Sequence, residues 1–265
     1  MNFKEYLISK NYADNTIKSY VFTIEQYEQK YITYTNDNLR SFKLELIEKN
    51  KPRTVNLRIS AINCYIDYAE LLCVKLQTVK YQQQTFLENV ISFPDYEYLK
   101  SCLLKDDKTM WYFIVRFLGS TGARISELLQ IKVEHVTIGY VDLYSKGGKI
   151  RRIYIPKNLQ DDTMRWLFRN NRQTGFVFIN QAGRRFTPKG ISSQLKRIAA
   201  LYSVDPNVVH PHSFRHMFAK TFIDRYNDIA LLADLMGHES IETTRIYLRK
   251  TANEQQSIVN KTIDW

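Results

Sequence analysis

Apolar residues recur at helical spacing through residues 1–80. Ile17, Tyr20, Ile24, Tyr27 and Tyr31 mark one face after Asp14 and Asn15, both N-cap types. A second segment, SFKLELIEKNKP, is predicted to stop at Pro52. A third follows Thr54 as its cap, with Val55, Ile59, Ile62 and Ile66 on one face. These segments predict a small helical bundle. Periodicity lapses in KYQQQT, which puts a linker at residues 81–90. FPDYEYLKSCLL then opens a new helix at Pro94-Asp95. MWYFIVRFLG, ending at Gly119, is apolar nearly all round, as a helix buried in a larger core would be. GYVDLYSKGGKIRRIYIP (139–156) switches to a period of two, with Val141, Leu143, Ile153 and Ile155 alternating with polar residues about Gly147-Gly148, the pattern of a β-hairpin. FVFIN (176–180) is a candidate for a further strand, and Thr187 to about Lys250 reads as helical again. The expected fold is mainly α with a small antiparallel sheet, in two domains, 1–80 and 91–265.

Charge narrows the class. The 265-residue chain carries a formal net charge of +11, with 12 Lys and Arg against 10 Asp and Glu in residues 1–88 and 26 against 17 beyond. A basic excess spread over folded sequence favours a polyanion partner, nucleic acid above all. No apolar run approaches the ~18–20 residues that span a bilayer, and the start, MNFKEYLISKNY, lacks the apolar core of a signal peptide. A cytoplasmic protein without membrane contact is expected. Cys64, Cys73 and Cys102 are odd in number, widely spaced and outside any CxxC, which suits reduced, buried thiols and excludes a disulfide framework.

Three places fit structure alone poorly. In STGARISELLQI a helix is expected to start near Ser120–Thr121, which puts Arg124 in its first turn. A cation there opposes the helix dipole at a cost of a few tenths to ~1 kcal/mol. An anion held between helix N-terminus and guanidinium removes the conflict, and a surface pair with Glu127 or Glu134 is the plainer alternative. In VHPHSFRHMFA, Pro211 suits a helix entry and again sets an arginine, Arg215, beside His212 near the first turn. His210, His212 and His216 invite a metal reading, but no intervening glutamate or nearby cysteine completes a ligand set, so no metal is expected. The third place is the hairpin tip SKGGKIRR, either a soluble charged turn or an arm carrying Lys146 to a phosphate.

LMGHESIETTRIYLRK adds His238 and, nine residues later, Tyr247. Tyr247 is either a core anchor or a nucleophile. A tyrosine hydroxyl, with an ordinary pKa of about 10, attacks phosphate only where the phosphate is polarised and a base is near. Two arginines, two histidines and a lysine meet that need without metal.

Taken in order, these stretches resemble the tyrosine recombinase family of phage integrases, Xer-type recombinases and DNA invertases, over roughly residues 1–250. The resemblance implies Arg124 as the first catalytic arginine with Glu127 as its supporting acid. It implies Lys146 on the hairpin as general acid, with Lys149 a rival. His212 and Arg215 form the HxxR pair, His238 the third box, and Tyr247 the nucleophile. Arg53 and Arg58 in the bundle, Lys149 and Arg151 on the hairpin, and Arg245 beside the tyrosine are the candidate DNA contacts. Implied too are a core-binding domain and a catalytic domain closing as a C-shaped clamp on double-stranded DNA with an inverted-repeat core site. Strand exchange would run through a 3′-phosphotyrosyl link and a Holliday junction in a homotetramer, with no cofactor. The tail SIVNKTIDW, with Ile258, Val259, Ile263 and Trp265, would dock in trans or pack on its own subunit. Because the core-binding pattern starts within the first residues, a simple invertase, resolvase or Xer-like enzyme is expected over an integrase with an accessory arm-binding domain. An integrase of a minimal mobile element and an inactive DNA-binding relative are the alternatives.

Overall fold

The structure, a computed structural model, describes residues 1–81, 89–144, 150–238, 240–248 and 252–263. The chain divides into two compact units, Met1–Gln83 and Gln84–Trp265.

The first unit holds α1 (Phe3–Ser9), α2 (Asp14–Glu28), α3 (Asn36–Lys49) and α4 (Pro52–Tyr68). The predicted apolar stripes form its core: Ile24, Tyr27, Leu39, Phe42, Val55, Ile59, Ile62 and Ile66 pack together. Helix α1 was not foreseen from periodicity, being only two turns long. It is fixed by a reciprocal cap in which Asn2 Oδ1 accepts from the Glu5 N–H and Glu5 Oε2 from the Asn2 N–H, both at 2.9 Å. Helix α3 stops at Lys49, just short of Pro52, which itself begins α4, its fixed φ and missing N–H suiting the first position, so that Thr54 lies inside the helix rather than capping it. Past α4 the chain runs back in extended form along Asn63 and Asn56, whose side-chain amides each bond both backbone groups of one residue, Leu76 and Val79, at 2.7–3.0 Å.

The second unit comprises α5 (Phe93–Lys105), α6 (Thr109–Thr121), α7 (Ile125–Leu128) and α8 (Val133–Ile138). The hairpin β1 (Tyr140–Tyr144) and β2 (Ile150–Tyr154) follows, then α9 (Lys157–Arg169), α10 (Pro188–Leu201), α11 (Pro211–Tyr226), α12 (Ile229–Met236), α13 (Ile241–Thr244), a 3-10 turn Arg245–Leu248 and α14 (Ala252–Thr262). The strands pair antiparallel with Val141 opposite Ile153, placing both on the core face. The all-round apolar segment is α6, whose residues Phe113 to Leu118 are all buried.

Three details differ from the expectation. Helix α6 does not end at Gly119 but continues to Thr121, with Gly122 as its left-handed cap at φ +61°. Gly119 is small for packing: a Cβ there would lie 2.6 Å from the Tyr96 ring. FVFIN forms no strand among the described residues. It makes single bridges, Phe176 with Lys132 and Ile179 with Arg185, while burying Val177 and Phe178. Helix α9 was missed because only Leu159, Thr163 and Leu167 of its thirteen residues are buried, a stripe too sparse to read. Among the described residues no helix is long and apolar enough to cross a membrane. The three cysteines are free and half-buried.

Candidate active site

The sequence makes α6 and α12 end in the same way, and the site is built on those two ends. Gly122 and Gly237 both adopt φ +61°, which stops each helix with its last carbonyls unpaired. Such carbonyls are the negative end of the helix dipole and attract cations. Arg215, projecting from the first turns of α11, fills the space between them. Its Nη1 donates to the Gly122 carbonyl at 2.7 Å and its Nη2 to the Met236 carbonyl at 2.6 Å, leaving it 2% exposed. No carboxylate pairs with it among the described residues. Its pKa is pushed down to about 10, by burial first and then by the charges of Arg124 and Arg151. A cation desolvated in this way and not neutralised is poised for an anion.

Arg124 lies at the N-cap of α7 rather than inside its first turn. Its backbone N–H donates to Glu127 Oε2 and its Nη1 to Oε1, both at 2.7 Å, while Nη2 donates to the Gly237 carbonyl at 3.3 Å. The dipole conflict is thus relieved by Glu127, and the guanidinium is aimed back toward Arg215. Burial works against ionisation of Glu127, but Arg151 and Arg124 together hold its pKa below the ordinary carboxylate value.

His238 follows the Gly237 turn. Its Nε2 lies 3.1 Å from Arg215 Nη2 and its Nδ1 2.8 Å from Thr244 Oγ1. A guanidinium only donates, so Nε2 accepts, and Nδ1–H donates to the threonine. Burial, reinforced by Arg215, Arg124 and Arg151, depresses His238 to about 4. Tyr247, 5% exposed in the 3-10 turn, lies between two imidazoles. The His238 ring stacks at 5.8 Å and 10°, and the His216 ring meets it edge-on at 5.0 Å and 61°. Tyr247 also packs with Ala219, Ile223, Leu232 and Met236, so the same ring anchors a small core and stands in the charged pocket.

The histidines of α11 separate by role. His210 is the helix N-cap, its Nδ1 accepting from the Ser213 N–H at 3.2 Å. His212 is exposed on the first turn, its pKa lowered by partial desolvation and by Arg215 and Arg124. His216 was passed over in the sequence except as a metal candidate. Its buried Nδ1 has no partner, and burial first, then the neighbouring histidines and Arg215, push it down to about 4. Among the described residues no group of His, Cys, Asp and Glu is arranged to hold a metal.

The structure thus brings Arg124, Glu127, Arg215, His238 and Tyr247 together, with His212 beside them. Lys146 and Lys149 lie outside the described residues. Two candidate DNA contacts are placed otherwise than expected. Arg151 is 8% exposed and sits beneath the site, because β2 directs it inward. Arg58 stacks on Phe22 and donates from Nη1 to Thr23 Oγ1 (2.7 Å) and the Ser19 carbonyl (3.1 Å), tying α4 to α2. Arg53 is exposed, and so is Arg245, which pairs with Glu242 at 3.1 Å. Thr244, fully buried, was missed because nothing in the sequence distinguishes a threonine that bonds a histidine from one that fills a core.

The phage integrase family model matches residues 83–254. The chain is 28% identical to the tyrosine recombinase XerA of Pyrococcus furiosus, across 98% of this chain and 92% of the relative. It is also 28% identical to a tyrosine recombinase of Agathobacter rectalis, across 98% and 94%. The solved integrase of the transposon Tn1549, in complex with circular intermediate DNA, shares the fold with a TM-score of 0.71 at 17% identity, covering 97% of each chain. The chain belongs to the phage integrase family, the tyrosine recombinases, and is a site-specific DNA recombinase that cleaves and rejoins DNA.

Proposed function

We propose that Tyr247 attacks the scissile phosphate of a duplex held over Arg124 and Arg215, forming a 3′-phosphotyrosyl bond while the 5′-oxygen leaves. The observation that carries this is the convergence, at the ends of two helices, of two guanidiniums bonded to the carbonyls there, an imidazole against one of them and a tyrosine ring stacked on that imidazole. Arg124 and Arg215 would bind the non-bridging oxygens, whose charge grows in the transition state. His238, whose Nε2 accepts from Arg215, would hold that guanidinium on the same oxygens, and His212 would position the phosphate and receive the tyrosine proton. Lys146, or its rival Lys149, would give a proton to the leaving 5′-oxygen. Attack by the 5′-hydroxyl of a partner strand reverses these steps, so no energy source or metal enters.

DNA is the partner in this reading. The first unit serves as a core-binding domain and the second carries the chemistry on an inverted-repeat core site, within a homotetramer that passes through a Holliday junction. The near full-length likeness to Xer-type recombinases supports a simple Xer-like enzyme. Exposed Val259 on α14 and Ile263 just beyond it support docking of the tail on a neighbouring protomer. Incubated with a nicked duplex that traps the covalent state, the wild-type protein is expected to form a protein–DNA adduct and Tyr247→Phe none. An adduct with the Phe variant removes Tyr247 as nucleophile.

A further inference from the structure

Arg151 is not explained by the roles above. Its Nε donates to the Leu235 carbonyl at 3.0 Å, and its Nη1 donates to Glu127 Oε2. Its neighbours in this pattern are informative. The consecutive carbonyls of Leu235, Met236 and Gly237, the end of α12, accept from Arg151, Arg215 and Arg124 in turn. One helix end therefore sets three guanidiniums side by side. The Gly237 turn is also shaped around Arg151: a Cβ on Gly237 would lie 2.2 Å from Arg151 Cδ. Stability alone does not account for the residue. It is 92% buried by its 8% exposure, and its Nη2 is buried without a partner, an arrangement that costs free energy. Its charge is felt by Arg215, His238 and Glu127.

We propose that Arg151 is a positioning residue for strand cleavage, which by bonding Leu235 and Glu127 at once locks the end of α12, and with it His238, in register with Arg124 and Arg215. The inference rests on the roles proposed above for Arg124, Arg215 and His238. The action needs the planar fork of arginine, whose Nε and Nη1 reach two acceptors in fixed directions; a lysine ammonium supplies the charge without that span.

The test is single-turnover cleavage of the nicked duplex by the full chain, with DNA affinity measured separately. Arg151→Gln and Arg151→Lys are each expected to slow cleavage about tenfold or more while affinity changes less than about threefold. In a Glu127→Gln background the further loss from Arg151→Gln is expected to shrink about fivefold or more, because the two side chains act as a unit. A wild-type rate for Arg151→Lys overturns the proposal. So does a loss confined to affinity, which makes Arg151 a DNA contact, and so do independent effects of the two substitutions. Arg151→Lys carries the test if the Gln variant does not fold. Failure here is distinct from failure of the cleavage mechanism: that is judged by the adduct with Tyr247→Phe, whereas Arg151 variants slow the adduct without abolishing it.

Discussion

Thr244 gives the most specific handle on the site. Its Oγ1 lies 2.8 Å from His238 Nδ1, and Arg215 Nη2, a pure donor, sits 3.1 Å from Nε2. Those two contacts admit one neutral tautomer, with the proton on Nδ1. Thr244→Val keeps shape and volume but removes the acceptor. The imidazole then either leaves a buried N–H unpaired, at about 1–3 kcal/mol, or moves the proton to Nε2, where it meets the Arg215 donor. Thr244 is fully buried, so water cannot enter to replace the bond. If the loss falls on the cleavage step it amounts to roughly a ten- to hundredfold slower reaction. Thr244→Ser keeps the hydroxyl and is expected to cleave within about threefold of wild type. Single-turnover cleavage of a nicked duplex reads the rate, and nitrogen NMR of the His238 ring reads the tautomer. A Val variant at wild-type speed with the tautomer unchanged refutes the reasoning, as does a Ser variant as impaired as Val.

Two further outcomes follow from the same geometry. His216 and His238 are depressed from 6.5 to about 4, so the unfolded chain binds more protons between those values. Stability is therefore full above about pH 6.5 and falls as pH drops toward 4, with Glu127 adding a loss in the same direction as its lowered pKa is crossed. Urea melts near pH 7 and near pH 5 measure this, and equal stability at both contradicts it. Gly122→Ala places a Cβ 2.5 Å from Phe218 Cδ1 at φ +61° and disturbs the carbonyl that holds Arg215. It is expected to cost about 1–3 kcal/mol in denaturant melts and to slow cleavage; unchanged stability and rate count against the helix-end account of the site.

How much of this was legible in the sequence depended on the kind of signal. The hairpin and α6 were readable because alternation and all-round apolarity are strong local patterns, and both place residues such as Val141, Ile153 and Phe117 in one core. Helix α9 and the FVFIN segment misled for opposite reasons. The first carries few apolar residues, and the second is apolar through tertiary burial rather than through sheet pairing. Arg124 and Arg215 stood out as cations at the wrong helix ends, which led to the anion pocket. Arg124 is relieved by Glu127, three residues on and readable locally, whereas the carbonyls that hold Arg215, those of Gly122 and Met236, come from helix ends far apart in sequence and could not be read locally. Arg151 was misread for the same reason: a basic residue next to a basic hairpin tip resembles a surface contact until the register turns it inward. Tyr247 posed a choice between anchor and nucleophile, and the packing sets its ring in a small core and against the His238 imidazole.

The central claim is that Tyr247 forms the covalent bond to DNA. Its most direct test is to trap the reaction on a nicked duplex, digest the protein and map the modified peptide by mass spectrometry. The account predicts a single linkage, from the Tyr247 oxygen to a 3′-phosphate. A linkage at another residue, or to a 5′-phosphate, contradicts it.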